Sequence, residues 1–393
     1  MSEQKHVVII GGGTAGITVA ARLKRSKAPL EVTIIEPSER HFYQPLWTLV
    51  GGSLATLAET ERSEESLMPA GVQWIKQAVQ AIEPEQKTLR LGNGEAVTYD
   101  ILVVCPGIQL RIDEVPGLQA ALDHDDRVWT NYDLRYVEKG QRAIAAFKGG
   151  RALFTFPKSP LKCGGAPQKI MWIAEEWMRK NGVRDQSEVQ FITPGAGIFG
   201  VPRYKAALTI QAEQRGVAVR TATWLTEVRH ETSEVVLRTE AGETLVEKYD
   251  LLHATPHQRP FAFVKPLADA DGFVAVDKET LQHTRFPEVF SLGDAAAVPT
   301  ARTGAAVRKQ APVLVANMLA FLNGQPLEKR YNGYTSCPLV VGHKRVILAE
   351  FGYDDVILET FPFRQDKPRY TMWLLKRHLL PTLYWKGMLR GRA

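Results

Sequence analysis

The sequence predicts an α/β chain of two Rossmann-like dinucleotide-binding domains, the first discontinuous, followed by a C-terminal amphipathic membrane-binding segment. Three observations carry this expectation. Gly11, Gly13 and Gly16 stand in G-x-G-x-x-G spacing between a β-branched strand, Val7-Val-Ile-Ile, and a helical run. Gly195, Gly197 and Gly200 repeat the spacing after Glu188-Val-Gln-Phe-Ile and before a helix expected over Pro202 to Arg215. Finally, residues 367 to 393 hold Lys367, Arg369, Lys376, Arg377, Lys386, Arg390 and Arg392, with no acid among many apolar and aromatic side chains.

At 393 residues and 45% hydrophobic, the chain is long enough to bury two cores and carry an appendage. Three cysteines are too few for a disulfide framework, so a separated pair in catalytic-looking loops reads as chemistry. The net charge of +6 is modest and points to no nucleic-acid partner, and no metal site is expected. The opening residues run at once into the apolar His6-Val-Val-Ile-Ile, which leaves no room for a signal peptide. No uncharged apolar run approaches the roughly 20 residues needed to cross a bilayer, so membrane contact is expected to be peripheral.

In the first loop, Gly11 makes the turn and Gly13 lets the backbone reach a pyrophosphate at the start of a helix opened by Thr14 and Ala15. Gly16 lets that helix approach the strand. The next strand, Glu31-Val-Thr-Ile-Ile-Glu, ends in Glu36, 20 residues beyond Gly16, where a carboxylate accepts ribose hydroxyls. The loop alone does not choose between FAD and NAD. The distant Thr284-Arg-Phe-Pro-Glu-Val-Phe-Ser-Leu-Gly-Asp-Ala-Ala-Ala resembles the second FAD motif of flavoproteins with two dinucleotide-binding domains. That resemblance implies FAD, with Gly293 under the ribityl chain and Asp294 bonded to its hydroxyls. Non-covalent binding is expected, since no residue stands out as a flavin linkage site. Tyr99-Asp-Ile-Leu-Val-Val-Cys-Pro-Gly ends where such flavoproteins carry Ala-Thr-Gly or Ala-Pro-Gly, so Gly107 joins the cofactor set and Cys105 reads as a small packed residue.

The strand after the second loop, Val217-Ala-Val-Arg, carries Arg220 where an NAD site needs an acid. Arg220 either meets a 2′-phosphate or is a solvated strand end. The repeat therefore reads as a Rossmann-like unit that has lost its nicotinamide. The chain is expected to return to the first domain after Tyr249-Asp-Leu-Leu-His-Ala-Thr-Pro. The expected organisation is an FAD domain over 1–120 and 270–325, a second domain over 121–269 carrying Cys163, and a C-terminal region over 326–393 carrying Cys337.

Cys163, in Lys162-Cys-Gly-Gly-Ala-Pro-Gln-Lys, precedes a helical run and is flanked by Lys162 and Lys169; helix dipole and cations both favour its thiolate. Cys337, in Tyr334-Thr-Ser-Cys-Pro-Leu-Val-Val-Gly, lies shortly before Lys344 and Arg345. With Tyr43-Gln-Pro-Leu-Trp-Thr-Leu-Val-Gly, Thr303-Gly-Ala-Ala-Val-Arg-Lys-Gln-Ala-Pro and Tyr384-Trp-Lys-Gly-Met-Leu-Arg-Gly, these stretches span nearly the whole chain. Through them it resembles the flavoprotein sulfide:quinone oxidoreductases, specifically the mitochondrial-type branch.

The resemblance implies that Cys163 and Cys337 form a disulfide, or a bridge with an extra sulfur, on one face of the isoalloxazine. Sulfide opens the bridge, Cys337 keeps the persulfide, and Cys163 leaves as a thiolate that attacks the flavin and delivers two electrons. A small acceptor such as glutathione or sulfite removes the outer sulfur, and membrane quinone takes the electrons. Gln44 joins the cofactor set, and Lys309 and Gln310 match the segment near the flavin pyrimidine. His253 and His257 are open as proton carriers or packed histidines, because Thr255-Pro-His-Gln-Arg-Pro departs from the more apolar family version.

The tail from Arg369 is expected to form two short amphipathic helices broken at Pro381, with Trp373, Tyr384 and Trp385 at the lipid boundary. Phe361-Pro-Phe and the Tyr43-Gln-Pro loop are candidate walls of a quinone channel. The expected seat is the cytoplasmic face of a bacterial inner membrane, and a homo-oligomer is left open. The competing readings are a type II NAD(P)H:quinone dehydrogenase, which does not need the cysteines, a sulfide dehydrogenase with a cytochrome partner, and a non-catalytic flavin and disulfide redox sensor.

Overall fold

The computed structural model describes residues 4–393; the first three residues of the opening read for a signal peptide lie outside it. Two five-stranded parallel sheets organise the chain. The first runs in the order Val289–Ser291, Ile101–Val104, Lys5–Ile10, Leu30–Ile35, Gln73–Ile75. Its central strands are rich in Val, Ile and Leu and buried on both faces over most of their length, the pattern a parallel sheet covered by helices demands. Each fully buried Val or Ile contributes roughly 1.5–3 kcal/mol. Val289–Ser291 arrives from far along the sequence, which makes this unit discontinuous.

The second sheet is ordered Val128–Trp129, Leu251–His253, Gly150–Thr155, Ser187–Ile192, Val217–Arg220. The helix expected after the second glycine loop is present as Pro202–Arg215, opened by its proline and closed by Gly216 in the left-handed region. Each parallel sheet has a three-stranded antiparallel companion, Val79–Glu83 with Thr88–Leu91 and Ala96–Thr98, and Thr223–Arg229 with Glu234–Thr239 and Thr244–Lys248. The two passages of the chain between the sheets, Gln109–Arg111 and His257–Arg259, pair with each other as an antiparallel ribbon. Beyond them the Thr335–Val340 and Val346–Phe351 hairpin sets Cys337 opposite Ala349.

The tail differs from expectation. Tyr370 to Arg390 is one continuous helical stretch, with wide π turns at Leu375–Leu379 and Leu383–Gly387 on either side of Pro381. A π turn moves the hydrogen-bond partner one residue further back, so a proline that lacks an N–H and crowds the preceding turn is accommodated without a break. Trp373 and Tyr384 are buried against the body, and the exposed apolar residues are Tyr370, Leu374 and Leu379. No helix among the described residues is long and apolar enough to cross a membrane.

The Thr14–Ser26 helix sits close to its strand because Gly16 has no side chain: a Cβ there would lie 1.8 Å from the Gly11 carbonyl oxygen. Gly11 itself has φ +99°, and a Cβ on it would meet the Cys105 carbonyl oxygen at 2.5 Å. Gly16→Ala is therefore expected to lower the urea midpoint, by about 1–3 kcal/mol of overpacking strain; an unchanged midpoint would refute this account of the turn.

Candidate active site

A cavity of about 630 Å³ extends from the first glycine loop to Cys163 and Lys169. At the glycine end, Gly13 caps the Thr14–Ser26 helix without any side-chain hydrogen bond, so the first helical N–H groups are open to an anion. A Cβ on Gly13 would have nothing within 4 Å, whereas one on Gly11 or Gly16 would strike backbone. Gly13, Thr14, Ala15, Glu36, Gln44, Gly107, Gly293 and Asp294 all line the cavity. Glu36 accepts the Gly12 N–H and the Ser38 N–H, both at 2.8 Å. Gln310 lies behind the lining, its Oε1 accepting the Gly293 N–H at 2.9 Å. Burial pushes the Asp294 carboxyl above its ordinary value, against the pull of Lys162 and Arg302. An uncapped helix N-terminus at one end of a long cleft, with carboxylates beside it, fits a bound dinucleotide.

Lys309 does not take the place expected for it. It is exposed, with its ammonium 5.5 Å from the centre of the Tyr334 ring, and Arg308 lines the cavity instead. Successive residues of a helix point about 100° apart, so a motif match fixes the turn but not the face. Cys105 is buried behind Gly11, with its thiol pushed up by burial, as a packing residue would be. His253 is fully buried between Trp129 and Phe154, and burial lowers it to about 3, so it stays neutral in the working pH range. Arg220 is paired with Glu247, and the Lys205 stem lies so close over Gly197 that a Cβ there would be 2.6 Å from Lys205 Cδ.

At the sulfur end, Cys163 is held by its backbone in the left-handed region at φ 51°. Its N–H donates to the Arg302 carbonyl at 2.8 Å, and its carbonyl accepts from the Ala166 N–H at 2.9 Å and the Tyr132 hydroxyl at 3.1 Å. The Ala166–Lys180 helix starts three residues on, and Lys169 in its first turn curls back to bring Nζ 3.0 Å from Cys163 Sγ. A Cβ on Gly165 would stand 3.2 Å from Lys169 Cε and 2.5 Å from Leu339 Cδ2, so glycine keeps this path clear.

Burial alone would raise the Cys163 thiol. The Lys169 charge and hydrogen bond, Lys376 and the Gly165 N–H outweigh it and bring Cys163 below the ordinary thiol value. Cys337 is pushed up instead, first by burial and then by the Cys163 charge. Both cysteines are free thiols here. Lys376, 3% exposed, is a residue of this end that the sequence did not disclose: it comes from the C-terminal helix, donates to the Pro45 carbonyl at 3.1 Å, and burial followed by repulsion from Lys169 lowers it to about 7.

The family model of the pyridine nucleotide-disulphide oxidoreductases matches residues 5–148. Mitochondrial sulfide:quinone oxidoreductase of Mus musculus is 45% identical over 98% of this chain and 86% of its own, and that of Dictyostelium discoideum is 42% identical over the same shares. The chain belongs to the sulfide:quinone oxidoreductase family. The crystal structure of the sulfide:quinone oxidoreductase of Aquifex aeolicus shares its fold, with TM-score 0.83 at 18% identity over 99% of this chain and 92% of that one. The chain is accordingly an FAD-dependent oxidoreductase, and the open helix N-terminus and carboxylates lining the cleft fit that cofactor.

If the Lys169 ammonium holds Cys163 as a thiolate, Lys169→Ala should slow alkylation of the reduced protein at Cys163 about tenfold at neutral pH. Peptide mapping after timed iodoacetamide treatment reads this directly, and an unchanged Cys163 rate would show that the cation does not set its reactivity.

Proposed function

We propose that this protein oxidises sulfide at a bridge between Cys163 and Cys337 and delivers the electron pair to membrane quinone. The observation that carries this is the Lys169 ammonium 3.0 Å from Cys163 Sγ, at one end of a cavity whose other end is the dinucleotide loop. When sulfide attacks the bridge, the sulfur–sulfur bond breaks, the better leaving sulfur departs as thiolate, and the other keeps the incoming sulfur as a persulfide. Lys169 and Lys376 stabilise Cys163 as the leaving thiolate, while the raised Cys337 suits the sulfur that stays covalently loaded. An acceptor thiol or sulfite then takes the outer sulfur, leaving Cys337 as thiolate. Re-forming the bridge withdraws an electron pair from the two thiolates. FAD, held by Gly13, Thr14, Glu36, Gly107, Gly293 and Asp294, supplies the two-electron acceptor between this pair and the quinone.

The C-terminal helix supports the quinone half of this reading. Leu375, Leu380 and Leu383 line the cavity together with Tyr43, Pro45 and Phe361, while Leu374 and Leu379 on the same helix are exposed. Such a helix seats its outer leucines and its cations in a headgroup region and leaves an apolar wall along which an isoprenoid chain reaches the cavity.

Anaerobic sulfide should bleach the flavin of the purified protein, a short-chain quinone should restore the colour, and Cys163→Ser or Cys337→Ser should abolish the bleaching. Bleaching by NADH but not by sulfide would replace this reading with a nicotinamide dehydrogenase. Independently, Leu374→Glu combined with Leu379→Glu should weaken sedimentation with anionic vesicles at least about tenfold; unaltered sedimentation would remove the helix as the membrane seat.

A further inference from the structure

A set of buried polar side chains that the sulfur chemistry does not use lies beside the glycine loop. His41 is on the Arg40–Phe42 strand, and Glu64 follows its partner strand Glu61–Ser63; they are 4% and 1% exposed. Glu64 Oε2 is 2.9 Å from His41 Nδ1, His41 Nε2 is 2.5 Å from the Tyr384 hydroxyl, and that hydroxyl is 2.9 Å from Thr14 Oγ1. The relay begins at a carboxylate and ends on the first residue of the dinucleotide helix. Its third member belongs to the C-terminal helix, 343 residues from His41. Tyr384 also packs on Tyr43 at a ring-centre distance of 4.6 Å.

The near end of the relay is incomplete. Glu64 lines the cavity, and its buried Oε1 has no hydrogen-bond partner among the described residues. It lies only 2.3 Å from where a Cβ on Gly12 would stand, which places it against the glycine loop and beside Glu36. Burial raises the Glu64 carboxyl and Glu36 adds to the rise, while His41 opposes them. A buried carboxyl oxygen left without a partner needs a donor. The adenosine half of FAD carries hydroxyl and amine donors, and the ribose carboxylate Glu36 marks this end of the cavity as its place.

We propose that Glu64 is a second carboxylate beside Glu36 at the adenosine end of the FAD site, accepting a hydrogen bond from that half of the cofactor, and that the His41 and Tyr384 relay makes seating of the C-terminal helix depend on it. The inference rests on the FAD reading and adds a consequence to it. The helix that carries Tyr384 to the adenosine end also carries Lys376 to the cysteines. Loss of the cofactor contact therefore loosens a wall of the sulfur site at the far end of the cavity, and by linkage a displaced helix loosens the cofactor.

The test uses the yellow holoprotein and the near-isosteric variants Glu64→Gln and Tyr384→Phe. FAD release after dilution is followed by recovery of free-flavin fluorescence, and trypsin cleavage after Lys386 and Arg390 by mass spectrometry. Each variant is expected to release FAD about tenfold faster, the double variant by less than the product of the two, and both to be cut sooner in the C-terminal helix. Release from Glu64→Gln within twofold of the unaltered protein overturns Glu64 as a ligand, and an unchanged cleavage rate in both variants overturns the coupling. A protein purified without FAD would sink the cofactor reading itself, a result distinct from either.

Discussion

A buried ammonium requires an anion, and that requirement shapes the sulfur site. Lys169 is 2% exposed, and leaving its charge unpaired there would cost several kcal/mol. The Cys163 sulfur 3.0 Å away answers it as thiolate. For the two to meet, the chain bends through the left-handed region at Cys163, places glycine at 165, and begins a helix at Ala166 whose first turn points the lysine backward. The lowered thiol is thus a product of backbone geometry as much as of its own chemistry. The same field acts unequally on Cys337 in the Thr335–Val340 strand, so two chemically identical thiols are shifted in opposite directions.

What the sequence disclosed follows from how far each interaction reaches along the chain. The glycine loops, their flanking strands and the Pro202–Arg215 helix depend on neighbours within a few residues, and they are where the pattern puts them. Glu36 was legible because a strand of fixed length carries it to the loop. Lys376, Glu64 and Tyr384 were not, because their partners lie hundreds of residues away or across a hairpin, and no local period marks them. Lys309 shows a different failure: a matched motif located the helix correctly, yet one residue of rotation decides whether a side chain meets the cavity or solvent. Pro381 misled because a rule about α turns was applied to a stretch wound more widely.

The tail serves inside and outside at once. Its exposed face carries Leu374 and Leu379, its inner face supplies Lys376 to the sulfurs and Leu375, Leu380 and Leu383 to the cavity wall, and Tyr384 reaches the dinucleotide helix. A segment that the composition marks as a surface appendage is therefore also part of the cavity wall. The alternation of π and α turns lets one helix present these faces, since each wide turn resets which side chains point inward.

The ribbon of Gln109–Arg111 with His257–Arg259 has a mechanical consequence. Two strands crossing between a pair of sheets usually act as a hinge when they run apart, because each bends on its own. Here they are laced together by backbone hydrogen bonds, so swinging one sheet against the other would shear the ladder. The ribbon thus opposes sliding of one sheet past the other, and with it any change in how the sulfur site faces the nucleotide cleft that would need these backbone bonds to break.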